Sequence, residues 1–161
     1  MNIPDFLVNG VLDLSAWQVV VYTLIMTHIS IISITVYLHR AMAHRAMDVH
    51  PALAHFFRFW CWFTMATVTK EWISVHRKHH AKCETEDDPH SPVIKGLKTV
   101  LTTGAELYQA EISKKETLER YGKGTPETWV DVNVYEKHKN LGVTILGFMN
   151  IILLGPIGLT V

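Results

Sequence analysis

Ten histidines occur among the 161 residues of this chain, and half of them fall into two short stretches. The stretch HRAMAH contains His39 and His44, and the stretch HRKHH contains His76, His79 and His80. Neutral imidazole nitrogen binds iron, zinc, copper and nickel. Three imidazoles in five residues would repel one another when protonated and gain little unless a metal ion shares them. The two stretches therefore predict a metal centre.

Helical geometry places the HRKHH histidines on one face. At about 100° per residue, His79 and His80 lie on either side of His76 within an arc about 100° wide. His39 and His44, by contrast, are about 140° apart on a regular helix. They can flank a metal pair only if the helix end is distorted or if each serves a different ion, and the spacing leaves both alternatives open.

Five clustered histidines exceed the four ligands of a tetrahedral zinc site, which favours two metal ions in a mostly nitrogen environment. Iron is the expected metal because it suits oxygen chemistry. Cys61 and Cys83 form no CxxC pair and are expected to be free thiols. Four isolated histidines are interpreted as packing or surface residues: His28, His50, His55 and His138.

Charged residues surround the second stretch. Arg77 and Lys78 are expected to contact lipid headgroups or solvent, with substrate phosphate as the alternative. Four carboxylates follow, and they either form a solvated acidic loop or orient the ligating imidazoles. They are Glu84, Glu86, Asp87 and Asp88.

Composition indicates a membrane protein, because 48% of the residues are hydrophobic and the mean hydropathy is positive. Fifteen basic residues balance fifteen acidic residues, so net charge gives no reason to expect a nucleic acid partner.

Two uncharged runs are long enough to cross a bilayer, residues 16–38 and 141–161. Every Lys and Arg lies between Arg40 and Lys139. The positive-inside rule therefore predicts that the intervening chain is cytoplasmic.

Between these two transmembrane helices, residues 52–69 are apolar but contain Arg58 near the centre. Because a central arginine is costly in a bilayer, we expect an amphipathic helix at the cytoplasmic surface, with an ordinary crossing as the alternative. Residues 70–139 are expected to form a cytoplasmic helical cap, with one helix over 105–122. The predicted fold is an all-α integral membrane protein.

Three segments together resemble the membrane fatty acid desaturase family: YLHRAMAHRA (37–46), FFRFWCW (56–62) and EWISVHRKHHAKCETEDDPHSP (71–92). Within that family, the three segments resemble the bacterial acyl-CoA delta-9 branch, which includes proteins like stearoyl-CoA desaturase. The resemblance implies two Fe2+ ions held by histidine boxes. It assigns as ligands His39, His44, His76, His79 and His80.

The resemblance also implies the reaction, which is O2-dependent introduction of a cis double bond into a long-chain acyl-CoA. Electrons would come from a ferredoxin, a rubredoxin or a cytochrome b5-like donor. The implied location is a bacterial inner membrane, with the histidine boxes facing the cytoplasm.

The family's third box, another H-x2-HH, does not occur before Val161. We therefore expect residues 1–161 to be the N-terminal part of a single desaturase domain and to be inactive alone, with His90 and His138 as weak substitutes for the missing ligands. Two other functions stay open. One is a diiron membrane hydroxylase, and the other is a haem-binding membrane anchor that uses His28, His39 and a histidine from a partner helix.

Overall fold

A computed structural model describes residues 8–161. Within this range the chain forms helices and turns and no β-strand, which confirms the predicted all-α class. The first helix, α1 (Ala16–Ile32), continues as a π-helical extension (Ser33–Ala43). The elements that follow are α2 (Pro51–Met65), α3 (Thr69–Lys82), α4 (Pro92–Lys95), α5 (Leu97–Thr102), α6 (Gly104–Ile112), α7 (Lys115–Tyr121), a second π-helical segment (Asp131–Glu136), α8 (Leu141–Leu154) and a 3-10 segment (Gly155–Thr160).

Two helices of the described chain are long and apolar enough to cross a membrane, Ala16–Ala43 and Leu141–Thr160. They agree with the two predicted spans, although the first continues five residues further than expected, past His39. The two run antiparallel, since Tyr22 donates a hydrogen bond to Asn150 and the backbone of Val11 pairs with Ile152. The fold is that of a helical membrane protein.

Helix α1 begins at a capping box, in which the Ser15 and Gln18 side chains satisfy free backbone N–H groups. Helix α2 begins with the His50 ring accepting from the Ala52 N–H, and it has Pro51 in its first turn. It ends at Ala66, whose φ of 51° is left-handed. At 15 residues, α2 spans only about 22 Å. The observed helix is therefore shorter than the predicted segment 52–69.

Arg58 lies inside the protein, and this corrects the reason for placing α2 at the membrane surface. Its side chain is 8% exposed, and its Nε lies 2.9 Å from a carboxylate oxygen of Asp131. Apart from His55, the exposed side chains of α2 are apolar, and they include Leu53, Phe56 and Phe59. Because the charge of Arg58 is paired inside the protein and does not face outward, the arginine gives no evidence that α2 lies at the membrane surface. The interfacial location of α2 stays a prediction, supported by its short length rather than by its arginine.

The hydrophobic core lies directly behind the histidine stretches. Tyr37, Leu38 and Ala41 of the π-helical extension pack against Phe57 and Cys61 of α2, and against Ile73 of α3. The expected single helix over 105–122 is wrong, because the chain breaks at Ser113 and Lys114 into α6 and α7. The break lets Glu111 turn inward and bind Lys78 of α3. Through this ion pair, α6 of the cap is attached to α3.

Candidate metal centre

The π-helical extension brings His39 and His44 together. A π-helix closes its hydrogen bonds between residues five apart, and the backbone N–H of His44 donates to the carbonyl of His39 at 3.0 Å. The two side chains therefore lie nearly above one another, with their Nε2 atoms 3.2 Å apart. Of the two alternatives that the spacing left open, the structure shows the distorted helix.

Helix α3 supplies a second pair. His76 and His80 are four residues apart on one face, and their Nε2 atoms are 3.1 Å apart. The two pairs face each other, since the ring centroids of His39 and His76 are 4.8 Å apart and those of His44 and His80 are 4.7 Å apart. One nitrogen from each of the four rings lies within 4.8 Å of the others.

This donor set fits a metal ion. Ligand nitrogens bound at about 2.0–2.1 Å are about 3.0–3.4 Å apart at neighbouring positions, close to the separations within both pairs. Imidazole must be neutral to bind metal. Burial, followed by the neighbouring histidines, lowers the pKa of His76 to about 4. The same causes lower the pKa of His80.

His79 lies beside the four-histidine group and not within it. Its Nδ1 is 2.9 and 3.0 Å from the two carboxylate oxygens of Asp88, and its ring centroid is 5.5 Å from that of His80. A proton on Nδ1 leaves Nε2 free to bind a metal. The structure thus separates this predicted ligand from the other four and gives it a different environment.

The four carboxylates after HRKHH could form a solvated acidic loop or orient the ligating imidazoles, and Asp88 differs from the other three. Of the four carboxylates, only Asp88 is buried. It accepts from the His79 ring and from the backbone N–H groups of Glu84 and His90. These hydrogen bonds outweigh the effect of burial and lower the pKa of Asp88. His79, Cys83 and Asp88 are close enough to share an ion, but the carboxylate oxygens already accept these bonds. Asp88 is therefore suited to orient His79.

The two cations of HRKHH do not face lipid headgroups or solvent, and that expectation was wrong. Lys78 pairs with the buried Glu111 at 2.6 Å, and Arg77 donates to backbone carbonyls. Each would otherwise be a half-buried charge without a partner, which is costly. Both cysteines are free thiols, as expected.

Trp72 is a further residue at this site. Its ring stacks on that of His76, with centroids 4.7 Å apart and planes 16° apart. The spacing of four residues on a helix was the available signal, because such residues are neighbours. Trp72 also lines a cleft of about 560 Å³, together with Met65, Glu71 and Lys139. His28 and His138 lie outside the groups that could hold a metal in the described chain.

A model of the fatty acid desaturase family matches residues 15–135. The chain belongs to the fatty acid desaturase family. Three relatives from Arabidopsis thaliana illustrate the likeness. A protein named probable lipid desaturase ADS3.2, chloroplastic, is 41% identical over 38% of this chain, and delta-9 acyl-lipid desaturase 1 is 34% identical over 47%. The chloroplastic palmitoyl-monogalactosyldiacylglycerol delta-7 desaturase is 32% identical over 39%.

The aligned parts of this desaturase-family chain cover 17%, 25% and 17% of those three relatives. The chain thus spans about a quarter or less of the length of the curated relatives that it matches. No solved structure matches it. The matched region contains both histidine stretches, so family membership and the four-histidine geometry concern the same residues.

Proposed function

We propose that this chain carries the first two histidine boxes of a fatty acid desaturase with a histidine-ligated diiron centre. The observation that supports this is the convergence of His39, His44, His76 and His80 from two helices. Bound iron would activate O2 as the oxidant that an unactivated methylene requires, since such a carbon has no acidic proton for a general base. His79, oriented by Asp88, is proposed to serve the second iron.

In the proposed reaction, two neighbouring methylenes each lose one hydrogen and become a cis double bond. O2 is reduced to two molecules of water by those two hydrogens and by two electrons and two protons from outside. The electrons are proposed to come from a ferredoxin, a rubredoxin or a cytochrome b5-like protein.

The cleft beside Trp72 is the proposed place for the acyl chain. Met65 and Trp72 form an apolar wall, and Trp72 links this wall to His76 by ring stacking. An ion pair between Glu71 and Lys139 lies at the same cleft. A chain held against Trp72 would present selected carbons to the histidines, and such positioning decides which bond is oxidised.

The proposed substrate is a long-chain acyl-CoA. A second substrate class, glycerolipid-bound acyl chains, is suggested by relatives that are named for acyl lipids. The proposed location is a bacterial inner membrane with the histidines on the cytoplasmic side, an orientation that the positive-inside rule favours.

Expression of the complete gene in cells, followed by analysis of their fatty acids, tests the proposal. The unsaturated fraction of the fatty acids should be higher than in cells that carry an empty vector. If CoA is the carrier, the rise should appear first in the acyl-CoA pool, and otherwise it should appear first in glycerolipid. No rise with either carrier would contradict the desaturase assignment. Oxygen from labelled O2 in the lipid would favour the hydroxylase alternative, and a Soret band in the purified protein would favour the haem anchor.

Replacing Asp88 tests the orientation of His79. In Asp88→Asn the carboxylate charge that holds the His79 Nδ1 proton is lost, so we expect metal affinity to fall about 10- to 100-fold. Asp87→Asn is the matched control, because Asp87 is exposed and pairs with Lys82 at 3.2 Å. Metal titration of the purified variants measures both. Equal affinities in the two variants would contradict the orienting role.

A further inference from the structure

The guanidinium of Arg77 connects three parts of the chain. Its Nη2 donates to the carbonyl of Met42 at 2.7 Å, and its Nε donates to that of Ala43 at 3.3 Å. Its Nη1 donates to the carbonyls of Tyr121 and Lys123, at 3.0 and 2.8 Å. Four hydrogen bonds from one side chain therefore join α3, the π-helical extension and the turn after α7.

The carbonyls at Met42 and Ala43 need such a donor. The last carbonyls of a helix have no partner within it, and these two belong to the final residues before His44. Arg77 itself directly follows His76. The side chain that caps the first histidine helix is thus adjacent in sequence to a ligand on the second helix.

The turn after α7 is shaped to reach Arg77. A Cβ added at Gly122 would lie 2.7 Å from the Ser74 hydroxyl, and one at Gly124 would lie 2.7 Å from Nη2 of Arg45. Gly124 also has a φ of +77°, which favours glycine. Gly122 lets the backbone approach α3, and Gly124 lets it approach Arg45, in the segment that holds carbonyls accepting from Arg77.

We propose that Arg77 is a positioning residue that sets the separation between the pair His39 and His44 and the pair His76 and His80. This inference rests on the proposed metal centre. The five donors of a guanidinium lie in a fixed planar fork, so they fix the relative orientation of the groups that they bind. Arg77 acts through the backbone and does not bind the metal, because a guanidinium has no acceptor.

Whether the loss of Arg77 weakens or strengthens metal binding distinguishes a positioning role from a purely electrostatic one. A positive charge near a metal site disfavours the cation, so removing Arg77 would tighten metal binding if charge were its only influence. Loss of positioning has the opposite effect. Arg77→Gln removes the charge, whereas Arg77→Lys keeps it and loses the planar fork. Positioning predicts weaker metal binding in both variants.

The experiment is a titration of the purified chain in detergent with Co2+ against a competing chelator, with the visible spectrum of the bound ion as a second readout. We expect Arg77→Gln and Arg77→Lys to weaken Co2+ binding about 10- to 100-fold and to change the spectrum. Arg120→Gln is the control. Arg120 is exposed, and its guanidinium lies over the ring of Tyr121. This variant should match the wild type in both readouts.

Wild-type affinity and an unchanged spectrum in Arg77→Lys would overturn the positioning role, even if Arg77→Gln failed to fold. Tighter binding in Arg77→Gln would overturn it in favour of simple charge repulsion. If the wild-type chain bound no Co2+ at its histidines, the metal centre itself would be refuted, and this inference with it. A wild type that binds Co2+ beside unaffected Arg77 variants refutes the inference alone.

Discussion

Replacing His76 with alanine should lower metal affinity by more than about 100-fold, because loss of a ligand exceeds the cost of losing an outer partner. His76 contacts the rings of three other predicted ligands, with centroids 4.8 Å from His39, 5.6 Å from His44 and 4.6 Å from His80. The His76 ring therefore lies next to the rings of the other three histidines of the group, and alanine leaves no nitrogen at that position. Metal titration and iron content of the purified variant measure the effect.

The fold should survive this change, because alanine is a better helix former than histidine. His138→Ala is the matched control, since His138 is exposed and the hydrogen bonds that it makes within residues 8–161 come from its backbone, including the one from the Trp62 indole to its carbonyl. Equal iron content in His76→Ala and His138→Ala would contradict the assignment of the site.

The same variant should change how stability depends on pH. Folding lowers the pKa of His76 from 6.5 to about 4, so between these values the unfolded chain binds more protons than the folded chain. Stability of the metal-free protein therefore falls as the pH is lowered from about 6.5 towards 4. In His76→Ala this contribution disappears, and the Tm should depend less on pH across that range.

The sequence predicts which histidines come together, but it does not predict the helix geometry that brings all four of them into one group. Residues four apart on a helix share a face, so the pairing of His76 with His80 followed from spacing. The pairing of His39 with His44 did not, because five residues suit only a π-helix. The core residues of this segment, Tyr37, Leu38 and Ala41, have ordinary α-helical spacing and so give no sign of the π form. No local pattern in the sequence contains this information.

Asp88 and Arg77 show a second limit of sequence reasoning. Four carboxylates in five residues look alike, and the choice of Asp88 depends on a loop that folds back so that its backbone donates to that side chain. Arg77 looked like a headgroup contact because its partners are backbone carbonyls. Every residue has a carbonyl, so composition cannot identify such partners.

The sequence predicts that Arg58 opposes membrane insertion of α2, whereas in the structure Arg58 forms a buried ion pair with Asp131. Arg58 and Asp131 are 8% and 7% exposed, and the Nε of Arg58 lies within ion-pair distance of the carboxylate, although not in hydrogen-bond geometry. The guanidinium also donates to the Tyr37 hydroxyl at 3.4 Å. The pair therefore joins α2 to the second π-helical segment and to the first histidine helix.

Replacing Arg58 with methionine should destabilise the protein by about 3–5 kcal/mol, because it leaves the Asp131 carboxylate buried and unpaired. For a chain of this size the expected drop in Tm is roughly 10 °C. In Arg58→Met/Asp131→Asn no buried charge remains at this position, and an asparagine oxygen can still accept from the Thr128 N–H and hydroxyl that now bind Asp131. The double variant should therefore recover most of the lost stability.

Thermal unfolding in detergent distinguishes a buried charge from lost packing. The control is Lys115→Met, which breaks an exposed ion pair with Glu119 and should leave the Tm nearly unchanged. If the double variant were as unstable as Arg58→Met, the loss would come from packing of the arginine side chain and not from an unpaired carboxylate. Recovery would show that the loss comes from an unpaired buried carboxylate, so that each partner is needed only while the other is present.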